Sequence, residues 1–267
     1  MKYQCLLFDA DNTLFDFDKA EEYALKNVLE HFEIFFDDLL VLKFYREISS
    51  EIWQELEKSE ITIDELKVER FRRLFQKLGI SEHSAGKISE LYLEYLSQGV
   101  FLMPHALDVV SGFSKRTNLA IITNGISQVQ HARFADSPLV RYFDKMVVSG
   151  DVGMTKPDPR IFDYTLNLLG ITDKSTVLMV GDSLTSDIAG GISCGIDTCW
   201  FNPADLPNNS GPAPSYEISD LRELQEIAEV EKVSVWTVFS LYDRMISINV
   251  KAILSPAQSM KKDVYKR

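Results

Sequence analysis

Leu6-Leu7-Phe8-Asp9-Ala10-Asp11-Asn12-Thr13-Leu14-Phe15 is the stretch on which the fold turns. Three apolar residues run straight into two acids and a threonine, with only Ala10 and Asn12 between. A short apolar run backed by turn-forming residues is the pattern of a buried parallel strand ending at its loop. In open α/β sheets, ligands bind in the crevice outside the carboxyl ends of the strands. Asp9 and Asp11 are therefore expected at such a rim. Two carboxylates this close repel unless positive charge separates them. A divalent cation is the usual partner, and hard oxygen donors favour magnesium. A strand followed by a plain acidic turn is the alternative, and the rest of the chain decides between the two.

Further along, the same design repeats. Leu119-Ala120-Ile121-Ile122 runs into Thr123-Asn124-Gly125, and Met146-Val147-Val148 forms another apolar run. Val177-Leu178-Met179-Val180 enters Gly181-Asp182-Ser183, and Thr198-Cys199-Trp200-Phe201 is a fifth run. Helical stretches are expected over 106–113, about 126–136, 158–169, from near Ser186, and over 221–230, with a surface loop at 203–214. Alternating strands and helices predict an α/β fold with a doubly wound, Rossmann-like parallel sheet.

Residues 17–100 break this alternation. Asp18 with Glu21 resembles a capped helix start, and Thr62 with Glu65 is a capping-box pattern. Val41, Tyr45, Ile48, Ile52 and Leu56 step along one helical face. Phe71, Leu74, Phe75 and Leu78 do the same before Gly79, as do Ile88, Leu91, Tyr92, Tyr95 and Leu96 before Gly99. Four or five helices without a strand are expected, inserted as a helical cap. The resulting organisation is a core of 1–16 and 101–232, a cap of 17–100, and a carboxyl-terminal extension of 233–267. From residue 235 onward the chain carries six Lys and Arg against two Asp, so +4 sits there and −16 on the remainder. That extension reads as an extra helix with a basic end, or as a segment for a membrane surface or a partner.

The net charge of −12 argues against a nucleic acid polymer as partner, which would need a basic surface. An anionic substrate must then be met by local positive charge. Cys5, Cys194 and Cys199 are few and odd in number, which suggests no disulfide framework and a reducing compartment. Asp9 interrupts the first apolar run too early for a signal peptide, and no stretch is long and clean enough for a membrane span. A cytoplasmic setting is the expectation. The residues do not set an oligomeric state.

Parallel strands bring their carboxyl ends to one edge. Asp9, Asp11, Thr123, Asn124, Asp182 and Asp187 should therefore converge there, with Lys156 of Thr155-Lys156-Pro157-Asp158-Pro159 beside them. Carboxylates can hold magnesium, and one can serve as a nucleophile forming an aspartyl-phosphate while its neighbour acts as general acid and base. A threonine hydroxyl, backbone N–H groups and a lysine suit the charge spread over a transferring phosphoryl group. Each residue alone has a plainer reading: a turn at Thr123 to Gly125, a solvated loop lysine at 156, a helix cap at Asp182 and a first-turn acid at Asp187.

Taken together, Asp9-Ala10-Asp11-Asn12-Thr13, Thr123, Lys156-Pro157 and Gly181-Asp182 with Asp187 resemble the four motifs of the haloacid dehalogenase-like (HAD) hydrolase superfamily, over residues 3 to about 230. The resemblance implies Asp9 as nucleophile and Asp11 as acid/base. It implies Mg2+ on Asp9, the Asp11 main-chain carbonyl and Asp182, and phosphoryl binding by Thr123, Asn124 and Lys156. Asp187 would support the metal or the lysine. Dehalogenase members lack the second acid, so Asp11 implies phosphoryl chemistry. Asn12 stands where many members have Gly. Ile121-Ile122-Thr123-Asn124-Gly125, Gly190-Gly191-Ile192 and Thr198-Cys199-Trp200-Phe201-Asn202 further resemble the noncanonical pyrimidine 5′-nucleotidases. The implied substrate is a small phosphate ester, a pyrimidine nucleoside 5′-monophosphate. The alternative is a sugar phosphate or other small ester such as N-acylneuraminate 9-phosphate or phosphoglycolate. Discrimination is expected from cap aromatics (Phe32, Phe35, Phe36, Phe44, Tyr45, Trp53) and from the loop Leu14 to Asp18.

Overall fold

The computed structural model describes residues 1–34, 38–58, 60–80, 85–209 and 211–229. The chain divides into a unit of Tyr3–Ile227 and a second unit of Met1–Lys2 with Ala228–Arg267. In the second unit only Met1, Lys2, Ala228 and Glu229 are described, so the expected 233–267 extension lies outside the described residues.

In the larger unit six strands form one parallel sheet: β1 Cys5–Phe8, β2 Asn118–Thr123, β3 Lys145–Val148, β4 Val177–Gly181, β5 Asp197–Phe201 and β6 Tyr216–Ile218. Their order is β3-β2-β1-β4-β5-β6, so the winding of the sheet switches sides at β1. Every residue of β1 and β4 is buried, as strands covered on both faces require. Phe8 is in register with Ile121 of β2 and Val180 of β4, which brings three strand ends level. β6 falls just after the expected loop. Its Tyr216-Glu217-Ile218 is too short to show a period, and it is placed by pairing with β5 at the sheet edge.

Between β1 and the rest of the sheet come α1 Phe17–His31, α2 Asp38–Glu57, α3 Ile63–Leu78 and α4 Ala85–Gln98. Their apolar stripes, including Val41, Tyr45, Ile48, Ile52, Phe71, Leu74, Phe75, Ile88, Tyr92 and Leu96, meet in one buried cluster. The capping box at Thr62 and Glu65 is present, and α3 ends on Gly79 at φ 70°. The start of α1 corrects the expectation: Asp16, not Asp18, is the cap, and its side chain accepts from the Lys19 N–H. Asn12 supports the same turn, with its Oδ1 accepting from the N–H groups of Phe17 and Asp18. At φ 56° Asn12 occupies the left-handed region that Asn tolerates, which accounts for Asn in place of Gly.

The remaining helices are α5 Ala106–Phe113, α6 Ser127–Asp136, α7 Ser149–Val152, α8 Pro159–Leu169, α9 Ala189–Cys194 and α10 Leu224–Glu229. A single π-type turn, Leu184–Ile188, precedes α9, so the helix expected from near Ser186 begins irregularly. α4 packs on α6, and Ile126 and Val129 of that region join the apolar cluster of α1–α4. Cys5, Cys194 and Cys199 are buried and unpaired. Among the described residues, no helix is long and apolar enough to cross a membrane.

Glu21 of α1 is 4% exposed, with Arg46 of α2 donating to it at 3.1 Å and the charges of Asp18 and Arg70 nearby. Burial outweighs Arg46 and pushes its carboxyl up to about 7. A raised carboxyl favours the folded state below its unfolded value and loses that advantage as pH rises through 7. The shift corresponds to on the order of 3 kcal/mol. Urea denaturation of Glu21→Gln and wild type should therefore show the variant gaining relative stability from pH 5 to about 7.5, then levelling. A pH-independent difference would contradict this account.

Candidate active site

Asp9 leaves the end of β1, where its N–H donates to the Val180 carbonyl at 2.9 Å. Its side chain turns to Lys156, whose Nζ donates to Asp9 Oδ1 at 2.5 Å and to Asp187 Oδ1 at 2.7 Å. Lys156 is 2% exposed and Asp187 fully buried. The two carboxylates push the Lys156 ammonium above its ordinary value, overcoming the burial that opposes its charge. The lysine is aimed by Asn124: the Lys156 N–H donates to Asn124 Oδ1, and Asn124 Nδ2 donates to the Lys156 carbonyl, both at 2.9 Å. The Lys156-Pro157 peptide is cis. Both ends of the Asn124 carboxamide are thus engaged with the Lys156 backbone, and the second Nδ2–H remains as a donor. Thr123 is buried at the end of β2, and its Oγ1 accepts from the Gly125 N–H at 3.1 Å, leaving its hydroxyl proton free to donate.

Asp182 and Asp187 follow β4. Asp187 Oδ2 accepts from the Ser183 N–H at 3.0 Å and lies against Gly181. A Cβ at position 181 would sit 2.2 Å from that oxygen, so only glycine fits. Oxygens of Asp9, Asp182 and Asp187 lie within 4.8 Å of one another. Burial, followed by the charge of Asp187, pushes Asp182 up to about 7. Asp9 is held well above the usual carboxylate range by burial, with Lys156 opposing and the other acids adding to it. Three carboxylates facing one ammonium form a hard-oxygen pocket short of positive charge, a donor set that suits a small divalent cation.

Asp11 behaves differently from its neighbour. Its carboxylate turns toward α6, accepting from Gln130 Nε2 and Arg133 Nη1, each at 2.6 Å. Arg133 is fully buried, with its guanidinium over the Phe15 ring at 4.9 Å. Gln130 presses so closely on Gly125 that a Cβ there would fall 2.1 Å from its amide nitrogen. Gln130 and Arg133 are absent from the sequence-based set. Their only signal was two polar residues three apart on a helix that follows a reactive strand end.

All of these strand-end groups border one cavity of about 320 Å³, with Phe17, Trp53, Arg70 and Leu96 on its other side. Of the aromatics named as discriminators, Tyr45 is buried in the helical cluster, Phe32 and Phe44 pack against it, and Trp53 reaches the cavity. Phe35 and Phe36 lie outside the described residues.

A family model described as haloacid dehalogenase-like hydrolase matches residues 3–195. The pyrimidine 5′-nucleotidase YjjG of Escherichia coli is 34% identical over 85% of this chain and 98% of its own length. The pyrimidine 5′-nucleotidase PynA of Streptococcus pneumoniae is 35% identical over 88% of this chain and its full length. The crystal structure of the Bacillus subtilis HAD-hydrolase YfnB, bound to magnesium, superposes with a TM-score of 0.81 at 35% identity, covering 86% of this chain and all of that one.

Lys156 is the one cation placed between Asp9 and Asp187 among the described residues. Lys156→Met should cost roughly 3–5 kcal/mol in urea unfolding without divalent metal, because it strands buried charge. Adding Asp187→Asn should recover part of that loss. A variant as stable as wild type would show that the ion pair is not the brace described.

Proposed function

The chain belongs to the haloacid dehalogenase-like hydrolases and is a HAD-type phosphatase, and we propose that it removes the phosphate of pyrimidine nucleoside 5′-monophosphates through an aspartyl-phosphate on Asp9. The observation that carries the reading is the division of labour between two acids two positions apart. Asp9 faces Lys156 on the cavity floor, and Asp11 is held aside by Gln130 and Arg133. The likeness to YjjG and PynA supports the choice of substrate.

In the first half-reaction an Asp9 carboxylate oxygen attacks phosphorus, and the phosphorus–ester oxygen bond breaks. Asp11 delivers its proton to the departing 5′-oxygen, releasing the nucleoside. In the second, Asp11 takes a proton from water, the water oxygen attacks phosphorus, and the bond to Asp9 breaks to free inorganic phosphate. Each Asp11 oxygen keeps a lone pair beyond those given to Gln130 and Arg133, so the carboxyl can exchange a proton while its direction stays fixed. The Thr123 hydroxyl, the Asn124 backbone N–H and Lys156 meet the charge on the phosphoryl oxygens. Asp9, the Asp11 carbonyl and Asp182 would hold Mg2+, with Asp187 supporting Lys156. When bound, the ion supplies positive charge to neutralise the acids and the phosphoryl oxygens. Residues 17–100 serve as the cap that closes over the substrate and excludes water. The working setting is cytoplasmic, in keeping with three buried, unpaired cysteines.

Initial rates should rank uridine and thymidine monophosphate above adenosine monophosphate and above hexose and triose phosphates in kcat/KM. Asp9→Asn should abolish turnover of all of them. A sugar phosphate handled tenfold better than any nucleotide would reassign the substrate, and turnover by Asp9→Asn would remove the covalent route. EDTA should eliminate activity and Mg2+ restore it. In thermal melts Mg2+ should stabilise wild type but not Asp182→Asn, a readout that does not depend on turnover.

A further inference from the structure

Arg70 of α3 borders the cavity on the side away from the strand ends. It is 2% exposed, yet its Nη2 has no hydrogen-bond partner among the described residues. Its Nε donates to the Lys67 carbonyl at 3.3 Å, and its guanidinium lies 4.5 Å from the centroid of the Tyr92 ring. The group is thereby fixed in place with its Nη2 unspent. Burying a charged donor without an acceptor is costly, so each such atom asks for an explanation. The neighbouring hydroxyls of Tyr45 and Tyr92 are buried too, and neither makes a hydrogen bond of good geometry with Arg70.

The apolar part of the cavity lining is Phe17, Trp53, Leu96, Ile126 and Val129. Such a slot suits a flat ring, and among its described lining residues Arg70 offers a buried cationic donor without a partner. A donor at that position calls for an acceptor on the leaving group. Uracil, thymine and cytosine differ at position 4, where cytosine carries an amine, but all three carry a carbonyl at O2.

We propose that Arg70 is the base-recognition residue of this site, its Nη2 donating to the O2 carbonyl of the pyrimidine ring. The assignment rests on the reading of the site as a pyrimidine nucleotidase. It explains how one site can accept all pyrimidines: it reads the acceptor they share and ignores the position where they differ. A site built to hydrogen-bond a substrate group rejects analogues lacking it more strongly than an apolar slot rejects a change of shape.

The test pairs a change in the protein with a change in the substrate. In wild type, kcat/KM is measured for uridine 5′-monophosphate, for its 2-thio and 4-thio analogues, and for ribose 5-phosphate, which lacks a base. The 2-thio analogue should be about 10- to 100-fold poorer than the parent, the range of one hydrogen bond to a charged group. The 4-thio analogue should stay within threefold of the parent. Arg70→Met should lower kcat/KM for uridine monophosphate by a similar factor, chiefly through KM, while ribose 5-phosphate falls no more than threefold. Arg70→Met should also no longer distinguish the 2-thio analogue from the parent. Equal sensitivity of wild type to the two thio substitutions would overturn the assignment without any variant. A loss in Arg70→Met shared equally by ribose 5-phosphate would overturn it too, marking a structural residue. Wild type that prefers ribose 5-phosphate to every nucleotide would instead bring down the substrate reading and this assignment with it.

Discussion

The buried ammonium of Lys156 is the interaction on which the site depends. It touches Asp9 from β1 and Asp187 from the turn after β4, two elements brought level only by the register of a parallel sheet. Close carboxylates would otherwise drive each other apart or take up protons. Its own placement comes from Asn124 at the end of β2, which grips the Lys156 backbone through both ends of its amide. Four separate stretches of chain are thus tied through one side chain. The requirement extends to Gly181, where any side chain would displace Asp187 from that arrangement.

Much of this was legible in the chain. An apolar run that stops at a polar residue marks both a strand and its end, and parallel topology gathers such ends at one edge. Asp9, Asp182, Asp187, Thr123 and Lys156 therefore meet as their positions suggested. What escaped notice depends on partners far away in sequence or on neighbours that disguise a residue. Gln130 and Arg133 reach an acid 119 and 122 positions earlier, and nothing local marks them as its holders. Arg70 stands among Glu69, Arg72 and Arg73, where it reads as one more charge on a solvated helical face. Only packing shows that its side chain is buried. The carboxamide of Asn124 grips the backbone of Lys156, and nothing local to Thr123-Asn124-Gly125 marks that pairing. Asp18 looked like a cap because Glu21 lies three residues on, but Glu21 is buried beside Arg46 and the capping falls to Asp16.

The two acids of the first loop show how environment divides chemically identical groups. Asp9 is confined with other carboxylates and a single lysine. Asp11 is supported by an arginine and an amide on a different element. A nucleophile needs its oxygen presented to phosphorus, whereas an acid/base needs its direction held while its proton comes and goes. The strand end supplies the first condition and α6 the second.

Helix α6 and its entry carry a further consequence. Ile126, Val129, Gln130 and Arg133 recur at helical spacing along one face. The first two belong to the apolar cluster of α1–α4, and the last two hold Asp11. One helical face therefore serves as the seat of the inserted helices and as the mount of a reacting group. Exchange of the insertion between members of such a family, by recombination or by engineering, is then not a matter of cutting at residues near 16 and 101. A transplanted insertion that does not seat on Ile126 and Val129 would shift the helix carrying Gln130 and Arg133. The unit of inheritance for substrate range is accordingly the insertion together with α6, two segments separated in the chain.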